Sequence, residues 1–415
     1  MAGVDLRAAF GRLRPHVGID PLTCSIADPR RSTNLPFKEG TILQGRADKL
    51  TTGQLACFLI AVSMGSAIIF IPSSLILTAG NGAWLSLLGA FGFGMITLLC
   101  VLFLHRRHEG RDMVEYSRIL IGRTATVIIM IPVIAMLLFA TAAIIAGIGA
   151  FFISGMMPET PLYIFCSFSL LVATLTARAG IAAAARMFVL LVPIMIMFAV
   201  VVLVIALPLY DWNRLLPIFD KGAGPILHGL FITAGFPFGE VCLFALILPY
   251  AGKDNSRLLS VRLLLAFGIT GISMVIATLC TIAAFGAAAG HFNYSLYQLA
   301  SNIEIGGTNE RIEAVIGVAL ILGSYMKATG YIIALNRVLS KISGVKDERA
   351  FIYPLGLLCT LLSLTLFSSP ADFQYLVYQV WPFTVIFVGC LLIYALAGLT
   401  LARTKPASRA QEAER

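Results

Sequence analysis

The sequence predicts an all-α membrane protein in which ten spanning helices form a 5+5 inverted repeat, each half opening on a broken helix. Three observations carry this. The 415 residues are 59% hydrophobic and only 12% charged, with a mean hydropathy of +0.91, whereas a soluble domain carries about 25% charged residues. Apolar runs of about 20 residues, the length that crosses a bilayer, recur along the chain. Two of these runs are interrupted at corresponding places, one near the start of each half.

The predicted spans are 53–79, 82–104, 125–153, 161–177, 184–208, 224–250, 259–286, 312–339, 352–367 and 382–402. They divide the chain into a first repeat over 51–208, a linker over 209–222 and a second repeat over 223–402. Residues 1–50 form a basic extension and 403–415 a tail. An odd number of crossings in each half makes the second half enter the membrane from the opposite side, which sets the two broken helices face to face.

The first break is expected in SMGSAIIFIPSS, where Gly65, Ser66 and Ala67 follow Met64. The second is AGFPFGE, where Gly235, Phe236, Pro237, Phe238 and Gly239 precede Glu240. Proline removes an i→i−4 bond and glycine lacks the Cβ that stiffens a turn, so neither stretch makes a good continuous helix. Backbone freed at membrane depth must be satisfied by protein, cavity water or ligand, which makes paired breaks a pointer to a binding site. For Gly65 the alternative is that small residues permit close helix packing.

The third span is long and rich in small residues, and Met136, Ala140 and Ile144 share one of its faces near the midpoint. That stripe suits an apolar wall for a small ligand, or ordinary packing. MPETP (157–161) reads as a turn, and Tyr210 and Trp212 in the linker read as interfacial anchors. Glu304, Glu310, Arg311 and Glu313 read as a solvated rim.

Glu240 and Lys327 are the ionisable residues deepest in the predicted spans. Each is costly in lipid and must face a cavity or a partner. Glu240 can cap the second half of the broken helix, where a carboxylate meets free N–H groups, or it can contact a ligand. Lys327 can bond carbonyls of a broken helix, contact a ligand, or take the place of a coupling cation.

Of 30 lysines and arginines, 26 fall in the N-terminal segment, the even-numbered loops and the tail. The other side has Arg214, Lys221 and Arg311, and by the positive-inside rule both termini are expected in the cytoplasm. This alternation also argues against a nucleic-acid reading of the +9 net charge. Residues 1–50 lack the apolar core of a signal peptide and are expected to lie near anionic headgroups of membrane lipid. The eight cysteines show no metal or disulfide spacing, HRRHEGR is not a zinc helix, and no nucleotide loop or catalytic triad is evident. No cofactor, metal or enzymatic activity is therefore expected.

Several stretches, PFGEVCLFALILPY, LPIFDKGAGPILHG, YPLGLL, NERIE (309–313), MPETPLY and VWP (380–382), resemble the B subunit of the spore germinant receptors over about 51–401. That family belongs to the amino acid–polyamine–organocation superfamily. The resemblance implies a LeuT-like fold, with an amino acid-type ligand held between the broken first and sixth helices and the third and eighth as walls. It also implies a bacterial inner or spore membrane location and partner subunits of the A and C type. Residues 1–50 depart from the family, which reaches its first helix sooner. The functions open at this point are a germinant sensor, an amino acid or small-solute transporter, and a structural membrane subunit.

Overall fold

The computed structural model describes residues 49–108, 110–252, 256–303, 312–345, 347 and 349–404. The expected basic extension and tail lie outside them but for Lys49, Leu50, Arg403 and Thr404, as do Glu304, Glu310 and Arg311 of the expected rim.

Helix α1 (Thr52–Met64) starts on a capping box. The Thr51 hydroxyl accepts from the Gln54 N–H, while the Gln54 side chain accepts from the Thr51 N–H. It ends at Gly65, whose φ of 7° and ψ of −104° leave helical space, and the chain resumes as α2 (Ala67–Ala79). Helix α3 (Ala83–Arg107) crosses back to the end of the molecule that carries most of the arginines, here called the basic end. There a short amphipathic helix, α4 (Met113–Ile121), lies between crossings. Helices α5 (Arg123–Gly155), α6 (Leu162–Ala179) and α7 (Ile181–Ile205) complete the first half.

The second half opens with α8 (Ala223–Thr233). The backbone then loosens over Ala234–Phe238, where Phe236 is extended at φ −128° and ψ 114°, and rewinds tightly over Gly239–Leu246. Helices α9 (Ser256–Phe285), α10 (Ser295–Ser301), α11 (Glu313–Ser343) and α12 (Ile352–Thr365) follow. The last, α13 (Pro370–Arg403), begins twelve residues before the expected start at 382. Its first turns read as polar loop in sequence, yet the Ser369 hydroxyl caps the Asp372 N–H at 3.1 Å and Pro370 occupies the first turn. Within α13 the turns widen over Leu376–Val380 and Val385–Cys390, on either side of Trp381.

Two glycine contacts bring the interrupted crossings onto their neighbours. A Cβ on Gly235 would lie 2.1 Å from Pro382 Cα on α13. One on Gly323 of α11 would lie 2.4 Å from the Gly65 carbonyl oxygen. Only glycine fits such backbone approaches.

The two ends differ. At the basic end Arg337 of α11 meets Asp112 at 3.0 Å and the Tyr250 hydroxyl at 3.0 Å, and Lys341 meets Glu115 at 2.7 Å. Leu50 pairs with the backbone around Ala251, donating to the Tyr250 carbonyl at 2.8 Å and accepting from Gly252 at 3.0 Å. At the opposite end a cavity of about 520 Å3 opens among α2, α13 and the segment around His291.

Substituting Gly235→Ala forces alanine against backbone and should lower the apparent Tm in detergent by several degrees. Gly268→Ala, in α9 with open space around it, should be neutral or slightly stabilising. Equal melting of the two variants would show that the α8–α13 approach is not tight.

The carboxyl of Glu115 sits below the usual carboxylate range. Burial alone raises it, but the Lys341 hydrogen bond, the Asp112 backbone bond and the charges of Lys341 and Arg337 together outweigh burial. A group depressed in the fold contributes stability above its unfolded pKa and loses it as pH falls through the folded value. Glu115→Gln should therefore flatten the acid limb of the Tm profile below about pH 4.5, the ordinary carboxylate range. A parallel profile in the variant would remove Glu115 from the basic-end seal.

Candidate functional site

Between the two breaks lies a small cavity of about 40 Å3, room for two or three waters. Ser66 and Phe70 line it from the start of α2, Ala140, Ala143 and Ile144 from the middle of α5, and Phe236 and Glu240 from the second break. Lys327 lines it from α11, and Phe373, Val377 and Trp381 from α13.

The chemistry of the cavity is concentrated in one buried pair. Lys327 Nζ stands 2.6 Å from Glu240 Oε2, with the side chains 0% and 2% exposed. The other oxygen of Glu240, Oε1, accepts from the Trp381 indole N–H at 3.0 Å. Lys327 also lies over the Phe236 ring, 4.4 Å from its centroid, and 5.9 Å from that of Tyr331 one turn along α11, within cation–π range. At 2.6 Å the ammonium donates to the carboxylate, and since Lys carries three N–H donors and a carboxylate oxygen more than one lone pair, each keeps capacity for a further partner. Ser63 Oγ and Ser324 Oγ are buried without a hydrogen-bond partner among the described residues.

Glu240 does not cap the rewound helix as expected. Its two oxygens are turned to Trp381 and Lys327 instead of to the N–H groups after the break. An ammonium and an indole donor in an apolar site satisfy a carboxylate charge more fully than exposed amides of its own helix. For the same reason Lys327 bonds a carboxylate and not the carbonyls of a broken helix.

The eleven sequence-derived candidates divide in place. Ser66, Ala140, Phe236, Glu240 and Lys327 meet at the cavity. Gly65 lies behind Ser66, where a Cβ would stand 2.8 Å from the Ala61 carbonyl oxygen, 3.0 Å from that of Gly323 and 3.1 Å from Lys327 Cβ. This is the close-packing role. Ala67 is fully buried off the lining, and Gly235 faces Pro382. Met136 sits toward Gly389 and Cys242, outside the lining formed by Ala140 and Ile144. Phe238 turns to the rings of Phe91 and Phe267, each 5.8 Å away, and Pro237 is buried at the break. Trp381, Phe70, Ala143, Phe373 and Val377 were not read from sequence. The signal for Trp381 was indirect: a lone acid and a lone base at mid-membrane needed partners, and an indole N–H is one.

The sequence profile of the family described as Spore germination protein matches residues 49–371. Spore germination protein KB of Bacillus subtilis (strain 168) is 24% identical over 327 residues, which are 77% of this chain and 86% of that protein. Among solved structures, MhsT in complex with L-phenylalanine superposes with a TM-score of 0.61 at 13% identity, covering 84% of this chain and 87% of its own. Mhp1, a nucleobase-cation-symport-1 family transporter in a closed conformation with bromovinylhydantoin bound, gives 0.63 at 13%, covering 87% and 92%. A Na+-coupled sialic acid symporter in a substrate-bound outward-open state gives 0.62 at 11%, covering 86% and 90%. These likenesses establish the LeuT-like fold.

Removing one partner of a buried ion pair leaves an uncompensated charge and costs about 3–5 kcal/mol, whereas replacing both can be neutral. Lys327→Met alone should therefore lower thermal stability strongly, and Lys327→Met with Glu240→Gln should recover most of the loss. Additive losses in the double variant would show that the two side chains do not pair.

Proposed function

This chain belongs to the spore germination protein family, and from that premise we propose that it is a membrane-embedded germinant sensor subunit that binds a small amino acid-like nutrient. The observation that carries the reading is the Glu240–Lys327 pair at a cavity between the two breaks. A fixed cation and a fixed anion, mutually neutral and set in an apolar surround, complement a zwitterion with a small apolar body. The ligand carboxylate goes to Lys327 and the first N–H groups of α2, which helix geometry leaves without intrahelical partners. Its ammonium goes to Glu240. Gly65, Ala67, Met136, Gly235, Pro237 and Phe238 act in this reading as supports behind the lining. A cavity of about 40 Å3 is smaller than any amino acid, so binding expands it.

The repeat halves, 51–208 and 223–402 with the linker 209–222 between them, form the sensing unit. The extension 1–50 and the tail 403–415 belong to the cytoplasmic side, in the inner or spore membrane. The basic end faces the cytoplasm, since lysine and arginine are retained there during insertion. Subunits of the A and C type receive the signal. Lys327 takes the place of a coupling cation. The second reading, an amino acid or small-solute carrier, is favoured by the fold this chain shares with solved transporters. Amino acid accumulation by proteoliposomes would mark the carrier, and binding without flux the sensor.

In lipid nanodiscs, an aliphatic L-amino acid such as L-leucine should raise the Tm of the wild-type protein. The Lys327→Met/Glu240→Gln variant should lose that response while staying folded. Replacing sodium by choline at constant ionic strength should leave the affinity unchanged. An undiminished ligand response in the folded double variant would place the ligand site elsewhere, and an affinity rising steeply with sodium would end the role given to Lys327.

A further inference from the structure

The small cavity must widen to admit a ligand, and its walls are unequally free to move. Helices α5 and α11 carry no wide turn, Pro132 in the first third of α5 being the one proline in either, and 56% and 83% of the residues in their most apolar stretches are buried inside the protein. Helix α13 is different. Its most apolar stretch is 44% buried, Phe383 and Phe387 face outward at 54% and 52% exposure, and its turns are already wide on both sides of Trp381. Wide turns of this kind are rare inside α-helices and occur frequently at functional sites.

Four polar contacts tie this wall to the broken crossings, one of them an exposed contact between His228 of α8 and Gln379 at 3.2 Å. The Tyr378 hydroxyl donates to the Phe70 carbonyl at 3.2 Å, Trp381 Nε1–H donates to Glu240 at 3.0 Å, and the Cys390 thiol donates to the Gly239 carbonyl at 3.4 Å. The Trp381 bond differs in kind. It is charge-assisted, it is buried, and its acceptor is the same carboxylate that faces Lys327. The Trp381 ring also stacks on Phe139 of α5, 5.5 Å between centroids, so the indole is held flat with its N–H aimed at Glu240.

We propose that Trp381 is a positioning residue that latches α13 to the second break through Glu240, and that drawing the Glu240 carboxylate into the cavity releases the latch so that α13 moves outward. The last step rests on the ligand reading above; the latch itself does not. An ammonium entering the cavity needs a carboxylate lone pair. Rotating Glu240 to offer one lengthens the bond to Trp381, and α13 is then the wall with least to hold it.

The test is amide hydrogen exchange on the full chain in nanodiscs, first without ligand. Trp381→Phe should speed exchange across 376–390 about tenfold or more, the size of one charge-assisted hydrogen bond, and leave the α5 amides unchanged. Because phenylalanine also changes packing, a second variant carries 3-benzothienylalanine at position 381, which keeps the indole shape and replaces the N–H by sulfur. It should give the same acceleration. If that variant exchanges like wild type, Trp381 acts by packing alone and the latch is overturned. With L-leucine added, wild type should show faster exchange over 376–390 and the benzothienylalanine variant no further change. Binding of L-leucine with unaltered or slower exchange there would overturn the release step. Failure of L-leucine to bind would count against the ligand reading, and the ligand-free comparison would still decide the latch.

Discussion

A carboxylate and an ammonium that have both been taken out of water constrain the rest of this structure. Glu240 and Lys327 lie in crossings far apart in sequence, yet they stand 2.6 Å apart with almost no exposure. Neither is tolerable alone at that depth. Their pairing fixes the height and rotation of α11 against the second break, and the glycine contacts of that region follow from it. Gly65 and Gly323 let α11 approach the first break closely enough for Lys327 to reach across. Gly235 lets α13 come to Pro382 contact distance, which brings Trp381 to the free side of Glu240. A larger residue at these positions would separate the charges, and separation in a low-dielectric interior is costly.

Much of this was legible in the sequence, for local reasons. Glycine and proline interrupt helices through the backbone of their own segment, so both breaks could be placed within a residue or two. Eight apolar helical stretches long enough to cross a membrane, among the described residues, were legible because bilayer thickness fixes that length, whereas the ninth of the ten expected spans corresponds to α12, only 14 residues long. The early start of α13 was not, because its first turn is Pro370, Ala371, Asp372 and Phe373, which reads as loop until Ser369 is seen to cap it. The cavity lining was half legible. Ser66, Ala140, Phe236, Glu240 and Lys327 followed from proximity to a break or a helix midpoint. Phe238 did not follow, because one extended residue at Phe236 changes the direction of what comes after, and it ended among the rings of Phe91 and Phe267. The pairing of Glu240 with Lys327 and Trp381 is a tertiary fact, and reading Glu240 by itself led to a helix cap that the fold does not form.

The seals on the two sides of the cavity are of different thickness, and that difference bears on sensing against transport. Toward the basic end stand the Arg337–Asp112 and Lys341–Glu115 pairs, the Arg337–Tyr250 bond and the Leu50 backbone pairing. Toward the vestibule the Tyr378–Phe70 hydrogen bond and the packing of Phe70 on Tyr294 close the way. A ligand shifts a conformational equilibrium only by its differential affinity for the two states. In the proposed reading the ligand opens the thin side and moves an adjoining helix, since that side is closed by neutral hydrogen bonds and ring packing and the other by ion pairs. Opening the thick side requires the whole polar layer to yield together, a larger gap for the same ligand to bridge. A carrier must cross both barriers in every cycle, whereas a sensor needs only the first together with a helix that leads away from the site. Within the proposed reading α13 is that helix: it touches the cavity at Trp381 and continues to the basic end, where Arg403 binds the α4 carbonyls of Ile119 and Leu120.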